Sequence, residues 1–164
     1  MIGIITLIAV ILADRISKIF AATCLLPIGT FPIIKDVLHF TYVENTGAAF
    51  GMLKNSRWVF MIVSTVVIIA IGIYMYINRA RLNKTLSLAL CLILSGGIGN
   101  MIDRICYGYV IDFIDLRLIN FAVFNIADSA LTIGAVILVY YVLIAEPKQQ
   151  KPNKQSGENT NEQQ

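Results

Sequence analysis

Residues 58–77 (WVFMIVSTVVIIAIGIYMYI) run for 20 positions without one charged side chain. A helix of about 20 such residues matches the hydrocarbon thickness of a bilayer. Two further windows share the property. Residues 85–102 are apolar, with Gly96, Gly97 and Gly99 near their end, and residues 121–145 are apolar apart from Asn125, Asp128 and a few hydroxyls. Residues 1–22 form a fourth window, whose far half carries Asp14, Arg15 and Lys18. No basic segment precedes its apolar run and charges interrupt it at once, so it reads as an uncleaved span rather than a cleaved leader. Of the 164 residues 57% are hydrophobic and 14% charged, with a mean hydropathy of +0.75, which no ordinary soluble domain shows. The expected fold is an all-α polytopic membrane protein: four transmembrane helices in one domain over 1–146, and a disordered cytoplasmic tail over 147–164. That tail contains no large apolar side chain.

Arg79, Arg81 and Lys84 lie in the short connection 78–84, and Lys148, Lys151 and Lys154 in the tail, so both segments and both termini are expected on the cytoplasmic side. The connections 23–57 and 103–120 then face outward. Trp58, Tyr107 and Tyr109 fall where an outer interfacial belt belongs, and Tyr74, Tyr76, Tyr140 and Tyr141 where an inner one does. Within the outer segments, 31–53 and the alternating 109–118 (YVIDFIDLRL) suggest a small extracytoplasmic β-sheet. A chain this short excludes a large pore or a two-domain enzyme. Its three cysteines and single His39 are too scattered for a disulfide framework or a zinc site, so no metal or cofactor is expected, and the cysteines read as small apolar fillers. A net charge of +3 implies no nucleic-acid partner.

Ionisable groups inside spans are costly and point to function. Asp14 and Lys18 are spaced i, i+4 in the favourable order, Asn100, Asp103 and Arg104 close the third span, Asn125 and Asp128 open the fourth, and Asp112 and Asp115 lie between. With the orientation above, all fall in the outer half of the membrane or just beyond it. Asp14 with Lys18, and Asp103 with Arg104, read as local ion pairs that hold helices together. Asp112 and Asp128 have no cation one turn away and are the better candidates for reactive groups. Two carboxylates facing one water hydrolyse an amide when one takes the water proton and the other, protonated, polarises the carbonyl. A serine mechanism fits less well, because the histidine is remote and no Gly-x-Ser-x-Gly elbow occurs. A proton-coupled transporter needs acids through the membrane depth, and the inner halves of the four spans have none. A non-enzymatic scaffold leaves Asp112 and Asp128 unexplained.

These residues fall in stretches that resemble the bacterial lipoprotein signal peptidases, signal peptidase II. The stretches are Asp14-Arg-Ile-Ser-Lys18, Val43-Glu-Asn-Thr-Gly-Ala-Ala-Phe50, Gly96-Gly-Ile-Gly-Asn-Met-Ile-Asp-Arg104, Gly108-Tyr-Val-Ile-Asp-Phe-Ile-Asp115 and Phe124-Asn-Ile-Ala-Asp-Ser129. The resemblance implies a four-span aspartic endopeptidase of the cytoplasmic (inner) membrane, and a monomer is expected. Its partners are membrane lipids and diacylglyceryl-modified prolipoproteins, cut just before the lipidated cysteine. It implies Asp112 and Asp128 as the catalytic pair. Asn45, Asn100, Arg104 and Asn125 contact substrate or hold the pair, and Asp14, Lys18 and Asp103 support them. Gly47, in the low-bulk segment 45–49, lets a peptide backbone approach. Arg15 stands where the family commonly has Gln, and no role is implied for it.

Overall fold

The computed structural model describes residues 2–47 and 57–145; the expected tail, and Ala48 to Phe50 of the outer loop, lie outside the described residues. Helix α1 (Ile2–Phe20) continues into a wider turn at Ala21–Leu25. Strands β1 (Thr30–Ile34) and β2 (Leu38–Asn45) form a hairpin. Helices α2 (Arg57–Ile77) and α3 (Lys84–Cys106) are joined by a short connection, whose Asn83 caps α3 by accepting the Leu86 N–H at 2.8 Å. Strand β3 (Val110–Leu116) and a short 3-10 turn (Arg117–Ile119) lead to α4 (Ile126–Tyr140), which ends in a wide turn through Ala145.

Three segments are long and apolar enough to cross a membrane: Trp58–Ile77, Lys84–Cys106 and Ile126–Ile144. Helix α1 has 19 residues but carries Asp14, Arg15 and Lys18 in its second half. The strands form one antiparallel sheet in the order β1-β2-β3, with Val43 opposite Asp112 and His39 opposite Asp115. The small sheet expected from 31–53 and 109–118 is therefore present.

The fourth helix begins later than the apolar window at 121. Asn120 takes a left-handed conformation (φ 48°), and Phe124 then exchanges backbone hydrogen bonds with Ile114, at 2.8 and 3.1 Å. The run 121–124 is thus spent beside the sheet. Phe124 also stacks edge-on against Phe121 at 5.8 Å.

Helix α3 is the centre of the bundle and packs on the other three helices. Its contact with α4 is close because both contribute glycines. A Cβ on Gly96 would run into the Ala127 carbonyl oxygen and stand 2.9 Å from Leu131 Cβ, and one on Gly134 would stand 2.8 Å from the Ala89 carbonyl oxygen. Under the sheet, Ala21, Leu25, Ile111 and Phe113 form a buried cluster, with Phe40 edge-on to Phe113 at 6.1 Å. A second cluster at the other end joins Leu86, Leu90 and Tyr141. Tyr141 therefore packs inward rather than joining an interfacial belt. Cys91 is buried as a filler, but Cys24 and Cys106 are exposed, at the ends of α1 and α3, so that expectation holds for one cysteine of three.

Candidate active site

Four charged side chains meet where α1 crosses α3. Asp14, Lys18 and Asp103 are almost completely buried, and Arg15 is about one-fifth exposed. Lys18 Nζ lies 3.0 Å from Asp14 Oδ2 and 2.8 Å from Asp103 Oδ2. Arg15 bridges the same two acids, at 2.9 Å from Asp14 and 2.5 Å from Asp103, and donates to the Gly99 carbonyl at 3.1 Å. Two acids and two bases leave the cluster formally neutral, the condition under which buried charge is tolerable. Backbone donors complete it: Ala127 N–H reaches Asp14 Oδ1 at 3.1 Å and Ile111 N–H reaches Asp103 Oδ2 at 3.3 Å.

The expected Asp14–Lys18 pair is present. The expected Asp103–Arg104 pair is not. Neighbouring residues of a helix point roughly 100° apart, so Asp103 faces α1 while Arg104 turns to α2 and the open site. Arg104 lies over the Phe60 ring at 5.3 Å and donates to the Asn100 and Gly47 carbonyls at 3.4 and 3.5 Å. Arg15, for which the sequence implies no role, is a full member of the cluster.

Three asparagines hold the two candidate acids, and one of them, Asn100, also accepts from Lys18 of the cluster at 3.0 Å. Asn125 is the N-cap of α4, and Asp128 its third residue. Asp128 N–H donates to Asn125 Oδ1 at 2.9 Å, and Asn125 N–H donates to Asp128 Oδ2 at 3.2 Å, a reciprocal capping box. Asn125 Nδ2 also reaches Asp112 Oδ1 at 2.6 Å, so one side chain touches both acids' residues. Asn100 donates to Asp128 Oδ1 at 2.7 Å, and Asn45 donates to Asp112 Oδ2 at 2.9 Å. Gly47 N–H holds the Asn45 oxygen at 2.9 Å, which leaves the Asn45 nitrogen to face Asp112. Gly47 is thus part of an Asx turn that orients Asn45.

Asp112 is buried on β3, and that burial, reinforced by the nearby Asp128 charge, pushes its carboxyl up to about 7. Asp115 behaves oppositely. Burial works against its charge, but the Thr41 hydroxyl at 2.7 Å and Arg117 at 3.0 Å hold it below the usual carboxylate range. It lies three residues along the strand from Asp112 and on the other face. Ser95 and Ser129 donate to backbone carbonyls, at 2.8 and 2.9 Å, and are not poised as nucleophiles.

Both acids open onto one cavity of about 630 Å³ between α2, α3, α4 and the segment after β3. Asn45, Asn100 and Arg104 give it a polar end, and Phe121, Val123 and Leu131 are among the side chains of its apolar part. Among the described residues no group of three or more His, Cys, Asp or Glu side chains is placed to hold a metal ion.

Fold and site together define a helical membrane protein with a paired-carboxylate cleft, the arrangement by which aspartic peptidases activate water. The chain belongs to the signal peptidase II family of peptidases: the family profile, described as signal peptidase (SPase) II, matches residues 6–144. A lipoprotein signal peptidase of Clostridioides difficile (strain 630) is 44% identical over 148 residues, which are 90% of this chain and 99% of that protein. One of Caldanaerobacter subterraneus subsp. tengcongensis is 48% identical over 134 residues, 82% of this chain and 90% of the relative. A solved structure described as a bacterial membrane enzyme superposes with a TM-score of 0.81 at 36% identity, covering 94% of each chain.

Proposed function

We propose that this chain removes the signal peptide from diacylglyceryl-modified prolipoproteins, cutting before the lipidated cysteine, with Asp112 and Asp128 as the catalytic pair. The observation that carries this reading is the attachment of both acids to Asn125 at the wall of a largely apolar cleft. One ionised carboxylate takes a proton from water as the water oxygen attacks the scissile carbonyl carbon. The protonated partner gives its proton to the carbonyl oxygen. In the neutral diol that results, the first acid returns its proton to the amide nitrogen, the C–N bond breaks, and a diol hydroxyl returns a proton to the second acid. The pair ends as it began. A carboxyl pushed up to about 7 suits this exchange, because its proton is shared near neutral pH.

In the same reading α1 is a fourth span, its charges neutralised by the cluster with α3, and the protein works as a monomer. Both termini and the basic connection 78–84 lie in the cytoplasm, residues 147–164 form a cytoplasmic tail, and the site faces the outer leaflet of the inner membrane. There a lipid-anchored substrate brings its scissile bond to the acids' depth. Asn45, Asn100, Asn125 and Arg104 hold the pair or the substrate backbone.

Incubating the purified protein with a diacylglyceryl-modified prolipoprotein and with its unmodified precursor tests the activity. Cleavage of the modified form alone is expected, and cleavage of neither contradicts the proposal. A reporter active only outside the cytoplasm should be silent when fused at residue 80, and activity there would invert the topology.

A further inference from the structure

Lys18 has three N–H donors and three acceptors: Asp14 Oδ2 at 3.0 Å, Asp103 Oδ2 at 2.8 Å and Asn100 Oδ1 at 3.0 Å. The first two balance its charge. The third has a directional consequence. An ammonium group only donates, so the atom of Asn100 that faces it must be the oxygen, and the nitrogen is thereby turned to Asp128 Oδ1 at 2.7 Å. A carboxylate accepts that N–H; a carboxylic acid could equally give its own proton to a reversed amide. Asn125 Nδ2 also donates to Asn100 Oδ1, at 3.1 Å, but its two hydrogens are divided with Asp112 at 2.6 Å and the Ile111 carbonyl at 3.3 Å. Lys18 is the undivided donor.

Asp112 also accepts two amide N–H groups, at 2.9 and 2.6 Å, but no cation stands directly behind either amide. Its amide partners, Asn45 and Asn125, are oriented by the backbone N–H groups of Gly47 and Asp128, not by a cation. Asp128 also accepts the Asn125 N–H at the start of α4, where the helix dipole favours negative charge. The charged groups whose fields reach Asp128 are Asp112 from β3, Arg104 from α3 and Lys18 from α1. Lys18 and Arg104 thus act through space, but only Lys18 fixes the direction of a hydrogen bond.

We propose that Lys18 is a positioning residue that locks the Asn100 amide toward Asp128, so that Asp128 carries the negative charge of the pair and takes the water proton while Asp112 holds the proton given to the carbonyl oxygen. The inference rests on Asp112 and Asp128 being the reacting pair, and it assigns their two roles.

The test compares full-length protein in lipid nanodiscs, labelled with carboxyl-13C aspartate, as wild type, Asp103→Asn and Lys18→Met/Asp103→Asn. The double variant keeps the buried cluster neutral, since Asp14 still faces Arg15. Lys18→Met/Asp14→Asn is a second neutral combination should the first not fold. Carboxyl resonances followed against pH should show Asp128 ionising ahead of Asp112 in wild type and in Asp103→Asn, and this order lost in either double variant. With the prolipoprotein, the acid limb of kcat should move up by about one pH unit in the double variants, about tenfold in rate below the limb, with KM little changed. Adding Lys18→Met to an Asn100→Ala/Asp103→Asn protein should leave the order of the two ionisations as it is without Lys18→Met, because the field of Lys18 reaches both acids and only the bond through Asn100 sorts them. Titration order and acid limb equal in Asp103→Asn and Lys18→Met/Asp103→Asn would overturn the proposal. The titration needs no substrate. A wild-type protein that cleaves no prolipoprotein while its titration still depends on Lys18 would refute the peptidase proposal and support the positioning role.

Discussion

Gly96→Ala adds one methyl group at the close contact between α3 and α4. The new Cβ would overlap the Ala127 carbonyl oxygen and lie 2.9 Å from Leu131 Cβ and 3.0 Å from Leu131 N. Two of those three neighbours are backbone atoms of α4, which cannot rotate aside. Helices α3 and α4 must therefore separate locally. With backbone as the obstacle, overpacking falls in the upper part of its usual range, about 2–3 kcal/mol, while Ala in place of Gly in a helix returns about 1 kcal/mol, so a net loss of about 1–2 kcal/mol is expected. The same separation stretches the 2.7 Å bond from Asn100 to Asp128, since the two residues sit on the separating helices. A misplacement of about 1 Å at a reacting group lowers turnover by about 100-fold. Gly97→Ala is the control: its Cβ would meet only Ile68, at 3.4 and 3.5 Å, which is ordinary contact. Reversible unfolding in mixed micelles should place Gly97→Ala at or up to about 1 kcal/mol above wild type and Gly96→Ala below both, and turnover in the same detergent should fall only in Gly96→Ala. Equal stability and turnover for Gly96→Ala and wild type would refute the close-packing argument.

Asn125→Ala removes the N-cap of α4 and the side chain that touches both acids' residues; a loss of about 1 kcal/mol in unfolding free energy from the cap and near-complete loss of turnover are expected, and retained turnover would contradict the bridging role. Asp112 holds its proton more tightly in the folded chain, at about 7, than at its ordinary value of 3.8, so its contribution to stability is full below about 3.8 and lost as pH rises through about 7. Thermal midpoints of wild type should therefore fall over that window more than those of Asp112→Asn, and parallel curves would contradict the assignment. Lys18→Ala without compensation leaves two acids facing Arg15 alone, at a cost of about 3–5 kcal/mol if the charge stays buried; the yield of folded protein should drop, and wild-type yield and midpoint would contradict the neutral cluster.

Hydropathy alone was enough to find α2, because its apolar character runs all round the helix and its surface stays exposed along the whole span. It misplaced the start of α4, since the apolar segment 121–124 fits a helix and a strand-like pairing equally well. The better signal was Asn125-Ile-Ala-Asp128, an N-cap residue with an acid at the third helical position. The candidate pair was legible as the two acids without a neighbouring base. Their asparagine partners were legible only in part, because Asn45 comes from a strand 67 residues before Asp112 and no local spacing announces it. The partners of Asp103 were hidden for the same reason. Lys18 and Arg15 reach it from α1, whereas Arg104, next to it in sequence, points elsewhere. Arg15 had no local pattern that marked it, and its place in the cluster follows only from how α1 crosses α3.

Asp112 and Asp128, and not Asp115, are proposed to perform the hydrolysis. Asn matches Asp in size but neither accepts the water proton as a base nor carries the shared proton. Turnover of a diacylglyceryl-modified prolipoprotein by Asp112→Asn, Asp128→Asn and Asp115→Asn, each shown to be folded and still to bind substrate, tests this most directly. Asp112→Asn and Asp128→Asn should each lose almost all turnover, and Asp115→Asn should retain most of it. Turnover within a few-fold of wild type for either of the first two, or its loss in Asp115→Asn alone, would contradict the account.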